Sequence, residues 1–119
     1  AMIPGRIAYS ITKFGMTMMA LRIAEELKKY KIFSTALWPA TLVESQATIN
    51  HEMADPSQWR KADIMADATC EILQHPEKAN GRALIDEDFL RECGHSDFDQ
   101  YNCVPGATPA AIRMPDAMV

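Results

Sequence analysis

Between residues 14 and 24 the chain carries apolar side chains nearly all the way round a helix. Phe14, Met18, Leu21 and Leu27 form one stripe, and Met16, Met19, Ala20, Ile23 and Ala24 form another. A surface helix needs only one such stripe. The pattern predicts a helix from Tyr9 to about Tyr30 that is covered on two sides. One side would pack on a sheet, the other on a second element or a second subunit. A helix inside one large core is the alternative. The methionines suit an adaptable packing surface, and Lys28, Lys29 and Lys31 are favourable near a helix C-terminus.

At the start of this helix, Tyr9 and Lys13 stand four residues apart. That spacing puts two side chains on one helical face, one turn apart. An ammonium beside a phenol favours the phenolate and draws the phenol pKa down from about 10. A phenol so placed can pass a proton to or from a substrate oxygen near neutral pH. The plainer alternative is a tyrosine at a helix start with a solvated lysine below it.

Ile32–Leu37 has little polar alternation and reads as a strand covered on both faces, stopped by Trp38-Pro39. Ala40–Ser45 then falls at the carboxyl end of that strand, the edge where open α/β sheets bind ligands. Gln46–Lys61 is polar and mixed. Asp63–Gln74 reads as an amphipathic helix with Asp63 as N-cap and Ile64, Ala68, Ile72 and Leu73 on its apolar face. His75-Pro76 marks a helix stop, as His51 marks a loop, and Asn80-Gly81 marks a turn. Arg82–Asp86 reads as a second short strand. Asp86-Glu87-Asp88 reads as the acidic lead into a short helix, Phe89–Cys93, where the helix dipole favours negative charge; a catalytic carboxylate cluster is the alternative. Ala1–Arg6 reads as a loop and the chain from His95 as an extended tail, with Pro105, Gly106, Pro109 and Pro115 interrupting it.

Three segments join the Tyr-Lys pair in a pattern: Ala36-Leu37-Trp38-Pro39 with Thr41, Asp63-Ile64-Met65-Ala66-Asp67-Ala68, and Leu84-Ile85-Asp86-Glu87-Asp88. From about Ala8 to about Gly106 the order resembles the short-chain dehydrogenase/reductase family. It is most similar to the hydroxysteroid dehydrogenase-like and citronellal/citronellol dehydrogenase-like members. The resemblance implies an α/β fold: the C-terminal part of a Rossmann-type doubly wound parallel sheet, running long helix, strand, loop, helix, strand, tail. It implies residues 1–94 as part of the oxidoreductase domain and 95–119 as the tail. It implies NAD or NADP as cofactor and Tyr9 with Lys13 as the catalytic pair, Lys13 also holding the nicotinamide ribose. Pro39, Thr41, Leu42, Val43 and Ser45 become the candidates for the nicotinamide carboxamide. Here the chain departs from the commoner pattern: Ala40 stands where glycine usually follows the proline, and Ser45 sits one position late for the usual hydroxyl. Gln46–Lys61 would form a flap, with Met53 and Trp59 touching a small hydrophobic carbonyl or alcohol substrate; packing on the core is the alternative for both. The helix over 9–30 would lie at the subunit interface of a homo-oligomer.

The family's glycine-rich cofactor turn has no counterpart here, because the five glycines are scattered. Only eight residues precede Tyr9, too few for the family's catalytic serine about a dozen residues upstream. Two strands and two long helices would also leave strand edges open. The expectation is therefore part of a larger oxidoreductase, inactive as these 119 residues alone. A non-catalytic α/β fragment or dimerisation module is the second reading. A net charge of −4 argues against nucleic acid or an anionic membrane surface as partner, and no apolar run is long enough to span a bilayer. Three irregularly spaced cysteines, Cys70, Cys93 and Cys103, point to a reducing, cytoplasmic compartment rather than a disulfide framework. Cys93, His95 and Cys103 lack the paired spacing of a metal site, so none is expected.

Overall fold

The computed structural model describes residues 7–112. The loop expected over Ala1–Arg6 and the last seven residues lie outside the described residues. The chain is mixed α/β. Its elements are α1 (Ile7–Glu26), β1 (Ala36–Trp38), β2 (Leu42–Val43), α2 (Gln46–Asn50), β3 (Trp59–Arg60), α3 (Asp63–Gln74), α4 (Pro76–Ala79), β4 (Ala83–Ile85) and α5 (Asp86–Glu92). They group into two compact units, one of residues 7–38 and 72–84, the other of 39–71 and 85–112.

In the first unit, α1 ends at Glu26 and gives way to a 3-10 turn over Lys28–Tyr30, short of the continuous helix expected. Lys31 closes that turn in the left-handed region, with φ of 57°. On the single chain α1 is buried along one line. Its fully buried residues are Ser10, Thr17 and Ala24, spaced by seven, and seven residues are nearly two full turns on one line. Met16, Met18 and Met19 are exposed, as are Ile7 and Ile11. Small side chains line this face: Thr17 meets Trp38 of β1, and a Cβ on Gly81 would lie 3.6 Å from the Ala24 Cβ. Phe14 packs on Trp38 with ring centroids 5.4 Å apart, and the Trp38 indole N–H donates to Thr17 Oγ1 at 2.9 Å. A large apolar residue at position 17 would remove that acceptor.

The first strand is shorter than expected and includes Trp38. Residues 32–35 lie outside the ladder, and side chains enter the bonding at Ser34 and Thr35. Asn80 Oδ1 accepts the Ser34 N–H at 2.8 Å and the Thr35 hydroxyl donates to the Arg82 carbonyl at 2.8 Å. The Ala36 N–H donates to the Arg82 carbonyl and β1 pairs with β4. The turn into β4 runs through Gly81, at φ of +71°, a conformation that favours glycine.

In the second unit, β2 and β3 pair in parallel, with Leu42 opposite Trp59 and Val43 opposite Arg60. Neither strand is expected from the sequence, which places β2 in the segment after Trp38-Pro39 and β3 in the polar flap over Gln46–Lys61. Ser45 caps α2: its side chain accepts the Thr48 N–H while Thr48 Oγ1 accepts the Ser45 N–H. That reciprocal pair satisfies two donors left open at a helix start. The segment read as a flap thus holds a helix, a 3-10 turn over Pro56–Gln58 and a strand. α3 has the expected bounds, with Ile64 and Ala68 buried. Leu73 is exposed instead: nine residues from Ile64 is half a turn out of phase at 100° per residue.

Residues 95–112 are not an extended tail. Phe98, Tyr101 and Asn102 are buried. The Lys61 N–H donates to the Tyr101 carbonyl, the Cys103 N–H to the Trp59 carbonyl and the Ile112 N–H to the Ala40 carbonyl. The first two bonds and the Arg60–Asn102 bridge cover the open edge of β3. The core of this unit takes Trp59, Ile64, Ala68, Phe89, Leu90, Phe98 and Tyr101.

Candidate functional site

Tyr9 and Lys13 lie one turn apart near the start of α1. Lys13 Nζ sits 5.5 Å from the Tyr9 ring centroid, within cation–π range. Tyr9 is 48% exposed, and Lys13 is half-buried. The turn between them is tightened where the Thr12 hydroxyl donates to the Tyr9 carbonyl at 2.7 Å. The pair belongs to the first unit.

Pro39, Thr41, Leu42, Val43 and Ser45 belong to the second unit. Thr41 is buried and its hydroxyl turns back to the Leu42 carbonyl at 3.2 Å. Leu42 and Val43 form β2, and Ser45 is engaged in the α2 cap. Ala40, the departure from the family's glycine, has a negative φ, so the Cβ costs its backbone nothing. Its N–H donates to Asp86 Oδ1 at 2.8 Å and its carbonyl accepts from Ile112.

The acidic triplet is the first turn of α5 rather than a lead into it. Asp86 is 1% exposed. Burial pushes its carboxyl above the usual range, against the pull of the hydrogen bonds from the Ala40 and Glu87 N–H groups. Burial works the same way on Glu87, but there the hydrogen bonds from Arg91 and Arg60 outweigh it and hold the carboxyl below its ordinary value. Arg91 reaches Glu87 at 2.5 Å and Arg60 pairs with its other oxygen. The Phe98 ring lies 4.2 Å from the Arg91 guanidinium carbon. These carboxylates bind protein partners.

Trp59 is buried, and its indole N–H donates to the Met53 carbonyl at 2.7 Å; Met53 itself is half-buried. The two residues named for substrate contact are thereby tied to each other. His95 Nε2 lies 2.8 Å from Glu71 Oε1, and the three cysteines are free thiols. Among the described residues no group of three or more His, Cys, Asp or Glu is arranged to hold a metal ion, and no helix is long and apolar enough to cross a membrane. Sequence reasoning missed the Ala40–Asp86 bond. Its partners are 46 residues apart, and no local signal along the chain marks it.

No protein-family model matches the chain. Solved structures do. A crystal structure of a short-chain dehydrogenase from Mycobacterium thermoresistibile superposes with a TM-score of 0.78 at 36% identity, over 94% of this chain and 42% of that one. A putative dehydrogenase from Xanthomonas campestris gives 0.79 at 28% identity, over 91% and 40%. By sequence and by fold the chain belongs to the short-chain dehydrogenase/reductase family, with the Rossmann-type α/β architecture of its neighbours. Among curated proteins it is similar to hydroxysteroid dehydrogenase-like protein 2: 43% identical over 102 residues to the human protein and 42% over 103 residues to that of Danio rerio. Each match covers 83% of this chain and 24% of the relative, so the chain spans about a quarter of those proteins' length.

Proposed function

We propose that the chain is part of an NAD(P)-dependent oxidoreductase of the short-chain type, acting on a small hydrophobic carbonyl or alcohol. The observation that carries this reading is the exposed Tyr9 with the Lys13 ammonium 5.5 Å from its ring, in a chain with this family's sequence and fold.

The residues fit such a cofactor in part. The half-buried Lys13 has a compact ammonium suited to a ribose hydroxyl, and the segment Pro39, Thr41, Leu42, Val43 and Ser45 offers main-chain groups for the carboxamide. The Thr41 and Ser45 hydroxyls are engaged within the chain, so the backbone is the better partner there. The bound nicotinamide supplies or accepts the hydride. Tyr9 gives its proton to the carbonyl oxygen in reduction and takes one from the alcohol in oxidation. The Lys13 ammonium stands by the negative charge left on the Tyr9 oxygen when the proton goes. Met53, held through the Trp59 indole, supplies apolar contact to the substrate. Free thiols at Cys70, Cys93 and Cys103 support a reducing compartment.

The second reading, a dimerisation module, draws on the exposed Ile7, Ile11, Met16, Met18 and Met19 of α1. Homo-oligomerisation through this helix is compatible with either reading. The test is Tyr9→Phe in the full-length protein. Turnover of NAD(P)H with aldehydes should fall at least 100-fold, the scale of lost acid–base catalysis, with cofactor affinity nearly unchanged. Lys13→Met should weaken both. Full turnover in Tyr9→Phe would refute the assignment.

A further inference from the structure

The Ala40 peptide is held from both sides. Its N–H donates to Asp86 Oδ1 at 2.8 Å and its carbonyl accepts the Ile112 N–H at 2.6 Å. Pro39 before it has no N–H to contribute, and Thr41 after it spends its hydroxyl on the Leu42 carbonyl. Between β1 and β2 the Ala40 N–H is therefore the main-chain donor by which a side chain of the unit grips this segment, opposite the Ile112 bond to its carbonyl. Asp86 is built for the grip: it is 1% exposed, and the same Oδ1 accepts the Glu87 N–H at 2.6 Å. Those two bonds tie the first turn of α5 to the segment beyond β1. The charged groups around Asp86 are Arg60 and Glu87, and Glu87 is already paired with Arg60 and Arg91. A buried carboxylate is costly to keep, and the bond to the Ala40 amide is what this one does beyond its own helix.

A site made of main-chain groups binds only if its peptides face the right way, because each can turn about its two soft dihedrals. We propose that Asp86 is a positioning residue: through the Ala40 amide it fixes the Pro39–Val43 segment in the orientation that receives the nicotinamide carboxamide. This rests on the functional reading above. The acceptor atom at Oδ1 does the holding, so charge is not required.

The test compares Asp86→Ala with Asp86→Asn in the full-length protein. It reads NADH affinity by fluorescence titration, the cofactor KM and kcat, and hydrogen exchange at the Ala40 amide. Losing one hydrogen bond of this kind corresponds to about tenfold in binding. Asp86→Ala should weaken NADH and raise its KM about tenfold, leave kcat at saturation within about twofold, and expose the Ala40 amide to exchange. Asp86→Asn keeps an oxygen acceptor and should stay within about twofold of the parent in all four. If Asp86→Ala does not fold, Asp86→Ser replaces it, since its hydroxyl is too short to reach Ala40. A lowered kcat with unchanged KM would mean a merely structural role and overturn the proposal. So would an Asp86→Asn variant as impaired as Asp86→Ala. If the parent protein binds no NAD(P)H, the functional reading fails and the cofactor role fails with it. Ala40 exchange then still reports whether Asp86 holds the segment.

Discussion

Replacing Glu87 by Gln keeps the side chain's shape and removes its charge. Two cations lose a carboxylate. Arg60 is 9% exposed, and its hydrogen bond to Glu87 is charge-assisted, a class that contributes about 1.5–3 kcal/mol. Arg91 is 53% exposed, so solvent screens its pairing to about 0.3–0.5 kcal/mol. Asp86 lies close enough to offer Arg60 some electrostatic compensation, which keeps the sum from reaching the full cost of an orphaned buried charge. The expected loss is about 2–3 kcal/mol. The pH dependence has a defined sign. The Glu87 carboxyl is held below its ordinary value, so its stabilisation is complete above the unfolded-state pKa and is lost as pH falls through the folded-state value. Urea unfolding of parent and Glu87→Gln proteins at pH 7 and again near pH 3 measures both effects. The gap should be full at pH 7 and narrow in acid. A gap under about 0.5 kcal/mol at pH 7, or one unchanged in acid, would show that this ion pair does not stabilise the unit.

Two further substitutions probe the units separately. Leu90→Ala removes a fully buried side chain of the second unit and should cost about 3 kcal/mol, read as a lowered thermal midpoint; a loss under about 1 kcal/mol would mean the site collapses around the smaller residue. Thr17→Val keeps the shape at a buried position of α1 but strips the acceptor from the Trp38 indole, and should cost about 1–2 kcal/mol by thermal unfolding. A neutral result would show that the indole N–H finds another partner.

What the sequence made legible followed from local chemistry. The i, i+4 spacing of Tyr9 and Lys13 was enough to bring them together, because helix geometry alone does that. α3 came out with its bounds because Asp63 at the start and His75-Pro76 at the end are local signals. The apolar wrap of α1 was legible, but which line faces the rest of its unit was not: Ser10, Thr17 and Ala24 are buried there, with Thr17 accepting the Trp38 N–H, while Met16, Met18 and Met19 stay open, as a side meant for a second element or subunit would. The β2–β3 pair was hidden for another reason. Two-residue strands carry no periodicity, and their partners stand 17 residues apart, as Leu42 and Trp59 do.

The sequence by itself therefore determined the body of α1, α3, the short acidic helix α5, the Gly81 turn and the Tyr9–Lys13 pair, since each depends on residues a few positions apart. Tertiary structure decided the rest. Residues 95–112, rich in turn formers, are held because Phe98 and Tyr101 find a core, the Cys103 and Ile112 N–H groups find acceptors on distant residues, and the Tyr101 carbonyl accepts from Lys61. Beside the local Glu87–Arg91 pair within the helix, the carboxylates of α5 became structural anchors because Ala40 and Arg60 meet them in the folded unit. Such pairings join groups up to 72 residues apart, as with Ile112 and Ala40. Packing brings them together, and no local preference along the chain encodes them.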